Sequence, residues 1–263
     1  MTVRIISAIV MAVMVTLVIF FAPPLIFKGI ILLLIMGGLY EFFKLALPAE
    51  PIYQEAGWIW GIALASSILF LKGPYAFLTA LLAGLFIVTL IYMKNATTLE
   101  GVTSKIGLTL LGAVYLGATL PFFGLARELS HGRALIFMGI SAAAMSDTFA
   151  LFGGKAFGRH KFAPLTSPNK TMEGFAAGLI GSVLAVFVVR QIAWADLPLH
   201  HVVIIGILIG FIGPMGDLIE SLFKRDYHVK DSGHIIPGHG GFLDRLDAMI
   251  FVGPFVYLYA RFL

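Results

Sequence analysis

The chain has no cysteine among its 263 residues, so disulfide bonds, thiolate zinc sites and cysteine nucleophiles are all excluded. Charge is also scarce, since Asp, Glu, Lys and Arg make up 12% of the residues, about half the share found in a soluble domain. Apolar residues account for 59% of the chain, and the mean hydropathy is +0.97. A soluble core does not require so much apolar sequence, and the composition therefore predicts a membrane protein built of helices.

Apolar runs recur along the whole chain, and nine of them are candidates for membrane spans. They cover approximately residues 4–21, 25–47, 57–72, 74–93, 105–126, 133–153, 173–194, 201–223 and 246–262. A span needs about 20 residues, with about 17 as the usual minimum, so the third run is marginal and the ninth is barely long enough. No cleavage site follows the first run, which is expected to remain as a transmembrane helix. The predicted fold class is all-α, a polytopic integral membrane protein with about nine transmembrane helices.

Basic residues are distributed unevenly between the two sides that nine spans create. Twelve of the eighteen Lys and Arg residues fall at the N-terminus or beside the loops after the second, fourth, sixth and eighth spans. The positive-inside rule then places these segments, including both large polar loops, in the cytoplasm. Such basic loops explain the net charge of +4, so nucleic-acid binding is not inferred from it.

Asp147 lies inside the sixth apolar run, several residues before that run ends. An ionisable side chain at membrane depth is costly, so it usually faces the protein interior and marks a functional site. A hydrogen bond that packs two helices, made beside Ser146, is the plainer alternative. A carboxylate is a costly group with which to join helices, and this favours a site role for Asp147.

The segment Ser167-Pro168-Asn169-Lys170-Thr171 places small hydrogen-bonding groups and one lysine just before the seventh span. A helix N-terminus presents free N–H groups and the positive end of the helix dipole, and both suit a phosphate group. The alternative is ordinary capping of the helix by Asn169 or Thr171. Capping and anion binding can occur together, so the segment stays a candidate phosphate site.

Asp217, Ser221 and Lys224 are spaced i, i+4 and i+7 in the eighth span, so they share one face of a helix. A row of carboxylate, hydroxyl and ammonium groups is not typical of a surface that faces lipid. An internal salt bridge from Asp217 or Glu220 to Lys224 is the alternative to a binding site on this face.

The stretch 224–247 contains eight of the thirty-two charged residues of the chain. Asp244 and Asp247 are spaced i, i+3, and together with Asp217 and, more weakly, Asp231 they would form an oxygen site suited to Mg²⁺. The neighbouring lysines and arginines would balance phosphate charge. This mixture is typical of metal-assisted phosphoryl or nucleotidyl transfer.

Glycines and histidines also concentrate in this stretch. Tight turns and a close approach of the backbone to a ligand are allowed by Pro237, Gly238, Gly240 and Gly241. The three histidines are His228, His234 and His239, and their spacing matches no zinc pattern. His239, flanked by glycines, is retained as a phosphate contact or an acid/base group.

One long pattern runs from the eighth span into the ninth. It reads Ser221-Leu-Phe-Lys224-Arg225, four residues, Lys230-Asp231-Ser-Gly233, two residues, and Ile236-Pro237-Gly-His239-Gly240-Gly241-Phe-Leu-Asp244-Arg245-Leu-Asp247. The pattern resembles the complete signature of the phosphatidate cytidylyltransferases, also called CDP-diacylglycerol synthases. The segments at 146–147 and 167–171 resemble a second block shared by that family.

The resemblance implies an enzyme of the bacterial plasma (inner) membrane whose active site faces the cytoplasm. It would join CTP and phosphatidic acid to give CDP-diacylglycerol and pyrophosphate, with Mg²⁺ as cofactor and a second cation left open. The expected partners are these substrates, the lipid bilayer and a second copy of the chain in a homodimer, without nucleic acid. Residues 1–130 would serve anchoring, lipid access or dimerisation. Residues 131–263 would form the catalytic region, with polar loops at 154–172 and 224–245.

Site residues follow from the spacing and the resemblance together. Three aspartates are expected to bind metal: Asp217, Asp244 and Asp247. Three cations complete the catalytic set by contacting phosphate groups: Lys224, Arg225 and Arg245. The remaining expected substrate contacts are Asp147, Ser167, Asn169, Lys170, Thr171, Ser221, Lys230, Asp231, His239, Gly240 and Gly241.

Two alternatives to phosphatidate cytidylyltransferase activity remain open at the level of sequence. A cytidylyltransferase that acts on another lipid phosphate would carry the same signature. A membrane transporter of an anionic solute would also bury charged residues and break its helices. The clustering of polar groups at one membrane face, and the absence of a repeat relating the two halves of the sequence, argue against transport.

Overall fold

In the computed structural model of this chain, residues 2–71, 73–233 and 240–263 are described, and most of them are helical. The helices are α1 (Thr2–Phe21), α2 (Pro24–Ala46), α3 (Pro51–Phe70), α4 (Pro74–Asn95), α5 (Val102–Gly117), α6 (Phe122–Ala126), α7 (Gly132–Phe157), α8 (Met172–Ala193), α9 (Leu199–Asp226), α10 (Leu243–Leu246) and α11 (Met249–Ala260). Two short strands, β1 (Lys161–Ala163) and β2 (Ser167–Thr171), lie between α7 and α8. The helical fold class is confirmed, and this small antiparallel sheet is the one addition among the described residues.

Prolines define where several of these helices begin. Pro24 and Pro51 are the first residues of α2 and α3. Proline suits the first helical position because its ring presets φ near the helical value and the missing N–H has no partner there anyway. The apolar residues that follow then form helices, because in a membrane only internal hydrogen bonds can satisfy the backbone.

Within the described residues, six helices are long and apolar enough to cross a membrane. They are Pro24–Ala46, Tyr75–Asn95, Val102–Ala126, Gly132–Phe157, Met172–Ala193 and Leu199–Asp226, where Val102–Ala126 comprises α5, the turn after it and α6. The chain is thus a helical membrane protein with several spans, but the predicted count of about nine is not confirmed. The apolar described part of α1 is Ile9–Phe21. The 12 residues of α11 extend about 18 Å, short of the roughly 30 Å hydrocarbon core.

Contacts divide the chain into two compact units. The first comprises Met1–Ala22, Ala126–Lys230 and Asp247–Leu263, and the second comprises Pro23–Leu125 and Asp231–Leu246. The signature stretch is therefore shared, with residues 224–230 and 247 in the first unit and residues 231–246 in the second. The predicted functional division at residues 130 and 131 stays a prediction.

Small residues allow close helix packing inside each unit. In the first unit α7 lies along α8, and a Cβ added to Gly178 would come within 2.9 Å of Ser146 Oγ. In the second unit α3 lies against α5, and a Cβ added to Gly117 would come within 2.4 Å of the Gly61 carbonyl oxygen. Larger side chains at these glycines would push the paired helices apart.

The β-hairpin occupies the first polar loop and leads directly into α8. Its strands pair Lys161 with Thr171 and Ala163 with Ser167. Thr171 ends β2 and is the N-cap of α8, where its side-chain oxygen accepts a hydrogen bond from the Gly174 amide at 3.1 Å. The predicted capping by Thr171 is confirmed, and the hairpin fixes the direction in which residues 167–171 approach the helix.

Candidate active site

Lys170 and Asp217 meet within the first unit although they come from different elements. Lys170 Nζ lies 2.8 Å from Asp217 Oδ2 and donates a second hydrogen bond to the Pro214 carbonyl oxygen at 3.3 Å. Both side chains are partly buried, so the pair is shielded from bulk water. The structure therefore brings the 167–171 segment and α9 to one place, as their joint assignment to a site requires.

The polar face of α9 is present as predicted. Ser221 Oγ donates to Asp217 Oδ1 at 3.3 Å, one turn along the helix. Lys224 Nζ lies 2.9 Å from Glu220 Oε1, and the Glu220 side chain is fully buried. The internal salt bridge named as an alternative thus exists, with Glu220 as the partner. A buried carboxylate needs such a countercharge, because removing it from water is costly.

Asp147 and Asp247 add two carboxylates to the surroundings of Asp217. Asp147 is accessible on α7, and the charges of Asp217 and Lys170 both act on it. Asp247 lies just before α11, and its Oδ1 accepts a hydrogen bond from the Ala248 amide at 2.7 Å. Burial first, and then the negative charge of Asp217, raise the pKa of Asp247 to about 7. Three acids with mutual repulsion are a region where a cation would be stabilised.

The carboxylates fit a magnesium site in their chemistry. Oxygen donors from Asp are the ligands that Mg²⁺ prefers, usually one or two of them completed by water and substrate phosphates. Asp217 and Asp247 are the two donors of the first unit that sequence reasoning selected. Across the ranges described by the structure, however, no three His, Asp or Glu side chains are grouped closely enough to hold an ion by themselves. The residues therefore fit an ion that takes some of its ligands from the protein and the others from a bound substrate.

Asp244, the third predicted metal ligand, belongs to the second unit and makes several hydrogen bonds there. Its Oδ2 accepts hydrogen bonds from the Ser232 amide at 3.0 Å, the Ser232 hydroxyl at 3.0 Å and the Gly241 amide at 2.8 Å. These bonds join the two ends of the signature loop, which we define as residues 231–246. Gly240 beside it has φ +79°, a left-handed conformation that glycine adopts without strain.

Glu41 on α2 is a buried residue that sequence reasoning missed. Its side chain is 3% exposed, and its Oε2 accepts hydrogen bonds from the Ser232 hydroxyl at 3.0 Å and the Leu243 amide at 2.9 Å. A usable indication was present, since Glu41 is an acid inside an apolar run, the same argument that selected Asp147.

The other predicted site residues are mostly exposed. Arg225 donates to the Val229 carbonyl oxygen at 3.2 Å and remains accessible. Side chains open to solvent include those of Asn169, Lys230, Asp231 and Arg245, while Ser167 is partly buried. His239 lies outside the described residues. Ser146, named for the alternative of helix packing, is buried, and its hydroxyl makes no hydrogen bond within the described part of the chain.

Comparison with known proteins gives a family for this arrangement. A sequence profile described as the Cytidylyltransferase family matches residues 2–263. The phosphatidate cytidylyltransferase of Bacillus subtilis is 38% identical over 180 residues, which cover 68% of this chain and 65% of that protein. That of Staphylococcus saprophyticus is 41% identical over 145 residues, and that of Staphylococcus aureus 40% over 147 residues, each covering 55% of both chains. The aligned part thus spans just under two thirds of the first relative and about half of the other two. Because the profile covers almost every residue, the chain belongs to the cytidylyltransferase family.

Proposed function

We propose that this protein is a phosphatidate cytidylyltransferase, which transfers CMP from CTP to phosphatidic acid. The products would be CDP-diacylglycerol and pyrophosphate. Membership of the family and the names of the similar proteins support this activity. The observation that carries it is the ion pair of Lys170 with Asp217, beside Asp147 and Asp247, in a helical membrane protein. A lysine among several acids suits a substrate that is rich in phosphate and arrives with a cation.

The reaction is an in-line displacement at phosphorus. An oxygen of the phosphatidate phosphate forms a bond to the α-phosphorus of CTP, while the bond from that phosphorus to the bridging oxygen of the β-phosphate breaks. The electron pair of the broken bond leaves with pyrophosphate. Phosphatidate is already an anion, so no strong protein base is needed, and positioning and charge stabilisation provide most of the catalysis.

Lys170 has a role that changes when the phosphates bind. Without substrate it neutralises Asp217 at 2.8 Å. A triphosphate offers the ammonium group additional anionic oxygens, so Lys170 would donate to phosphate while staying close to the acid. The Thr171 cap holds the adjacent backbone in place. The site of the lysine is thereby fixed before the substrate arrives, which reduces the ordering needed on binding.

Lys224 is the second cation with a defined position. Its ion pair with the buried Glu220 leaves the side chain only 12% exposed. Such a lysine loses little rotamer freedom when it contacts an anion, because the pair has already restricted it. The exposed Arg225, Lys230 and Arg245 are proposed to contact phosphate groups as well, arginine through its two-pronged guanidinium.

We infer Mg²⁺ as the cofactor, with Asp217 and Asp247 as its protein ligands in the first unit. When bound, it would neutralise the triphosphate and stabilise the charge that develops on the leaving pyrophosphate. Burial and the negative charge of Asp217 both disfavour the ionised form of Asp247 and raise its pKa, which supports a cation in this region. Asp244 stays a predicted ligand, although its Oδ2 accepts three hydrogen bonds from the signature loop.

The proposed setting is the bacterial inner membrane, with the polar loops in the cytoplasm. The distribution of Lys and Arg between the loops supports this orientation. A homodimer, in contact with the lipid bilayer, is the proposed assembly, and it rests on the family resemblance.

A direct assay tests the activity. Purified full-length protein in detergent is given phosphatidic acid, Mg²⁺ and CTP labelled on the α-phosphate, and CDP-lipid and pyrophosphate are expected in equal amounts. Asp217→Asn should lower the rate at least about 100-fold, equal to about 2.7 kcal/mol of barrier. The matched control Asp196→Asn changes an exposed loop acid of the same unit and should leave the rate unchanged.

Parallel reactions replace phosphatidic acid by other lipid phosphates at the same concentration. A faster reaction with one of these would correct the substrate and keep the reaction type. Failure to form any CDP-lipid from any of them would overturn the proposed function.

A further inference from the structure

We propose that Glu41 is a positioning residue that holds together the two described ends of the signature loop, residues 231–233 and 240–246. The role is assigned to the N-terminal half of the chain, for which sequence reasoning offered only anchoring, lipid access or dimerisation. The part of the inference that concerns catalysis rests on the proposed function. The part that concerns the loop conformation stands on geometry alone.

The hydrogen bonds of Glu41 reach both ends of the loop. Its Oε2 accepts the Leu243 amide at 2.9 Å, and that residue is the first of α10. The same oxygen accepts the Ser232 hydroxyl at 3.0 Å, near the start of the loop. Because Ser232 and Leu243 stand near opposite ends of the segment, one carboxylate oxygen links its two described ends.

The loop backbone is shaped to the Glu41 carboxylate. A Cβ added to Gly241 would lie 2.2 Å from Glu41 Oε2, and a Cβ added to Gly233 would lie 2.5 Å from Glu41 Oε1. Real Cβ atoms do not come so close to an oxygen, so a side chain at either place would require the buried Glu41 carboxylate to move. Close approach of the backbone was expected for a ligand, and here the group approached is a side chain of the protein itself.

Burial makes these contacts significant for stability of the loop. Glu41 is 3% exposed on a helix that is long and apolar enough to cross a membrane. A carboxylate in that position is costly unless it is hydrogen-bonded. The two donors to its Oε2, Ser232 and Leu243, both belong to the signature loop. The acid and the loop therefore depend on each other, since each satisfies polar groups that the other would leave buried.

Ser232 connects Glu41 to Asp244. The hydroxyl oxygen is 3.0 Å from Glu41 Oε2 and 3.0 Å from Asp244 Oδ2. A serine hydroxyl has a single proton, so it donates to one of the two carboxylates at a time and lies within hydrogen-bond distance of both. Glu41 thus acts on Asp244, a predicted metal ligand, through Ser232 and through the helix start at Leu243.

Four full-length proteins test the inference: wild type, Glu41→Gln, Glu41→Asp and Glu41→Leu. Gln keeps an acceptor oxygen of the same reach, Asp keeps the charge but is one methylene shorter, and Leu removes the acceptor. The matched control is Glu55→Leu, which makes the same change at an exposed acid on α3 of the same unit. Circular dichroism and monodispersity in detergent establish which variants are folded.

Two measurements are made on each folded variant. Amide hydrogen exchange is followed by mass spectrometry, comparing peptides from 231–246 with peptides from α7 to α9. The cytidylyltransferase rate is followed as described for the wild type. Glu41→Leu and Glu41→Asp should exchange at least about tenfold faster in the loop only, because a buried hydrogen-bonding group has lost its partner. Their turnover should fall about 10- to 100-fold through misplacement of the loop residues.

Glu41→Gln should recover most of the loop protection and most of the turnover, and Glu55→Leu should match wild type. If Glu41→Leu does not fold, the other two variants decide the question, because loop protection should be higher in Glu41→Gln than in Glu41→Asp. Equal loop exchange in wild type, Gln and Asp would overturn the inference, whatever the catalytic rates. If wild type forms no CDP-lipid, the proposed function fails, but the exchange experiment still decides the role of Glu41.

Discussion

Lys170 Nζ lies 2.8 Å from Asp217 Oδ2, so the last part of a short β-hairpin is tied to the middle of the long helix α9. The same ammonium reaches the carbonyl oxygen of Pro214, one turn earlier on that helix. Proline inside α9 has no N–H and interrupts the regular hydrogen bonding of the helix. The lysine therefore meets a carboxylate and a carbonyl oxygen within one turn of α9.

Replacement of this lysine should separate catalysis from folding. Lys170→Met is expected to lower the rate of CDP-lipid formation about 100-fold, because the phosphate loses a positioned cation and Asp217 loses its countercharge. The rate is measured from labelled CTP with phosphatidic acid. Lys161→Met, at an exposed residue of the same hairpin, is the matched control and should keep wild-type activity. Equal losses in both variants would show that general surface charge, rather than the Lys170 pair, supports the reaction.

The buried pair of Glu220 and Lys224 should contribute to stability and activity in different ways. Glu220→Leu removes the buried carboxylate that lies 2.9 Å from Lys224 Nζ and is expected to destabilise the protein by about 3 to 5 kcal/mol. The double variant Glu220→Leu/Lys224→Met should recover much of that stability, because the ammonium group that faced Glu220 is removed together with the carboxylate. Thermal unfolding in detergent measures the first effect.

Activity distinguishes the two roles of Lys224. The double variant should remain at least about tenfold slower than wild type, because Lys224 is also a proposed phosphate contact. Recovery of both stability and rate would mean that Lys224 serves the fold alone.

Asp247→Asn should have opposite effects on stability and on metal response. Burial and Asp217 raise the pKa of Asp247 to about 7, so its charge opposes folding when no cation is bound. The Asn variant is expected to be as stable as wild type, or more stable, in EDTA. Mg²⁺ at 100 times its dissociation constant should stabilise wild type by about 2.7 kcal/mol and the variant much less.

Thermal unfolding with EDTA and with increasing Mg²⁺ makes this comparison. Removal of Mg²⁺ should also abolish CDP-lipid formation by wild type. An unchanged Mg²⁺ response in Asp247→Asn would remove Asp247 from the set of metal ligands.

The fit between Gly233 and Glu41 should appear as a coupling between two substitutions. Gly233→Ala places a methyl group 2.5 Å from Glu41 Oε1 and should destabilise the signature loop. In a Glu41→Ala background the same change should cost little, because the clashing oxygen is gone. The double-mutant cycle is therefore expected to give an interaction energy of at least about 1 kcal/mol.

Loop stability for this cycle is read from hydrogen exchange in peptides of 231–246. Gly107→Ala is the control, since nothing lies within 4 Å of a Cβ added there. Additive effects of Gly233→Ala and Glu41→Ala would contradict the observed fit.

Local features of the site were predictable because they depend on residue spacing. Thr171 caps α8, and Glu220 pairs with Lys224 one helical turn away. Both contacts involve residues three or four positions apart, which a helix always brings together. The family could also be recognised, because its signature is a fixed order of residue types along the chain.

The number of membrane spans was less predictable, because hydropathy and length show which helices could cross a membrane and not which of them do. Gln54 and Glu55 stand near the start of α3 and reduce the apolar character of its 20 residues. Nine apolar runs correspond to helices, yet six of the described helices meet both the length and the apolarity of a span.

By itself, the sequence determined that this is a helical membrane protein with two polar loops and a member of the cytidylyltransferase family. Composition, hydrophobic periodicity and sequence motif are properties of the chain alone, and they do not depend on how its helices pack. The tertiary structure decided which charged groups meet. Asp217 pairs with Lys170 rather than with Lys224, and Glu41 binds a backbone amide 202 positions away at Leu243. Such pairs depend on how helices pack and loops close, because the free energy of a buried charge is set by its neighbours in space rather than by those in sequence.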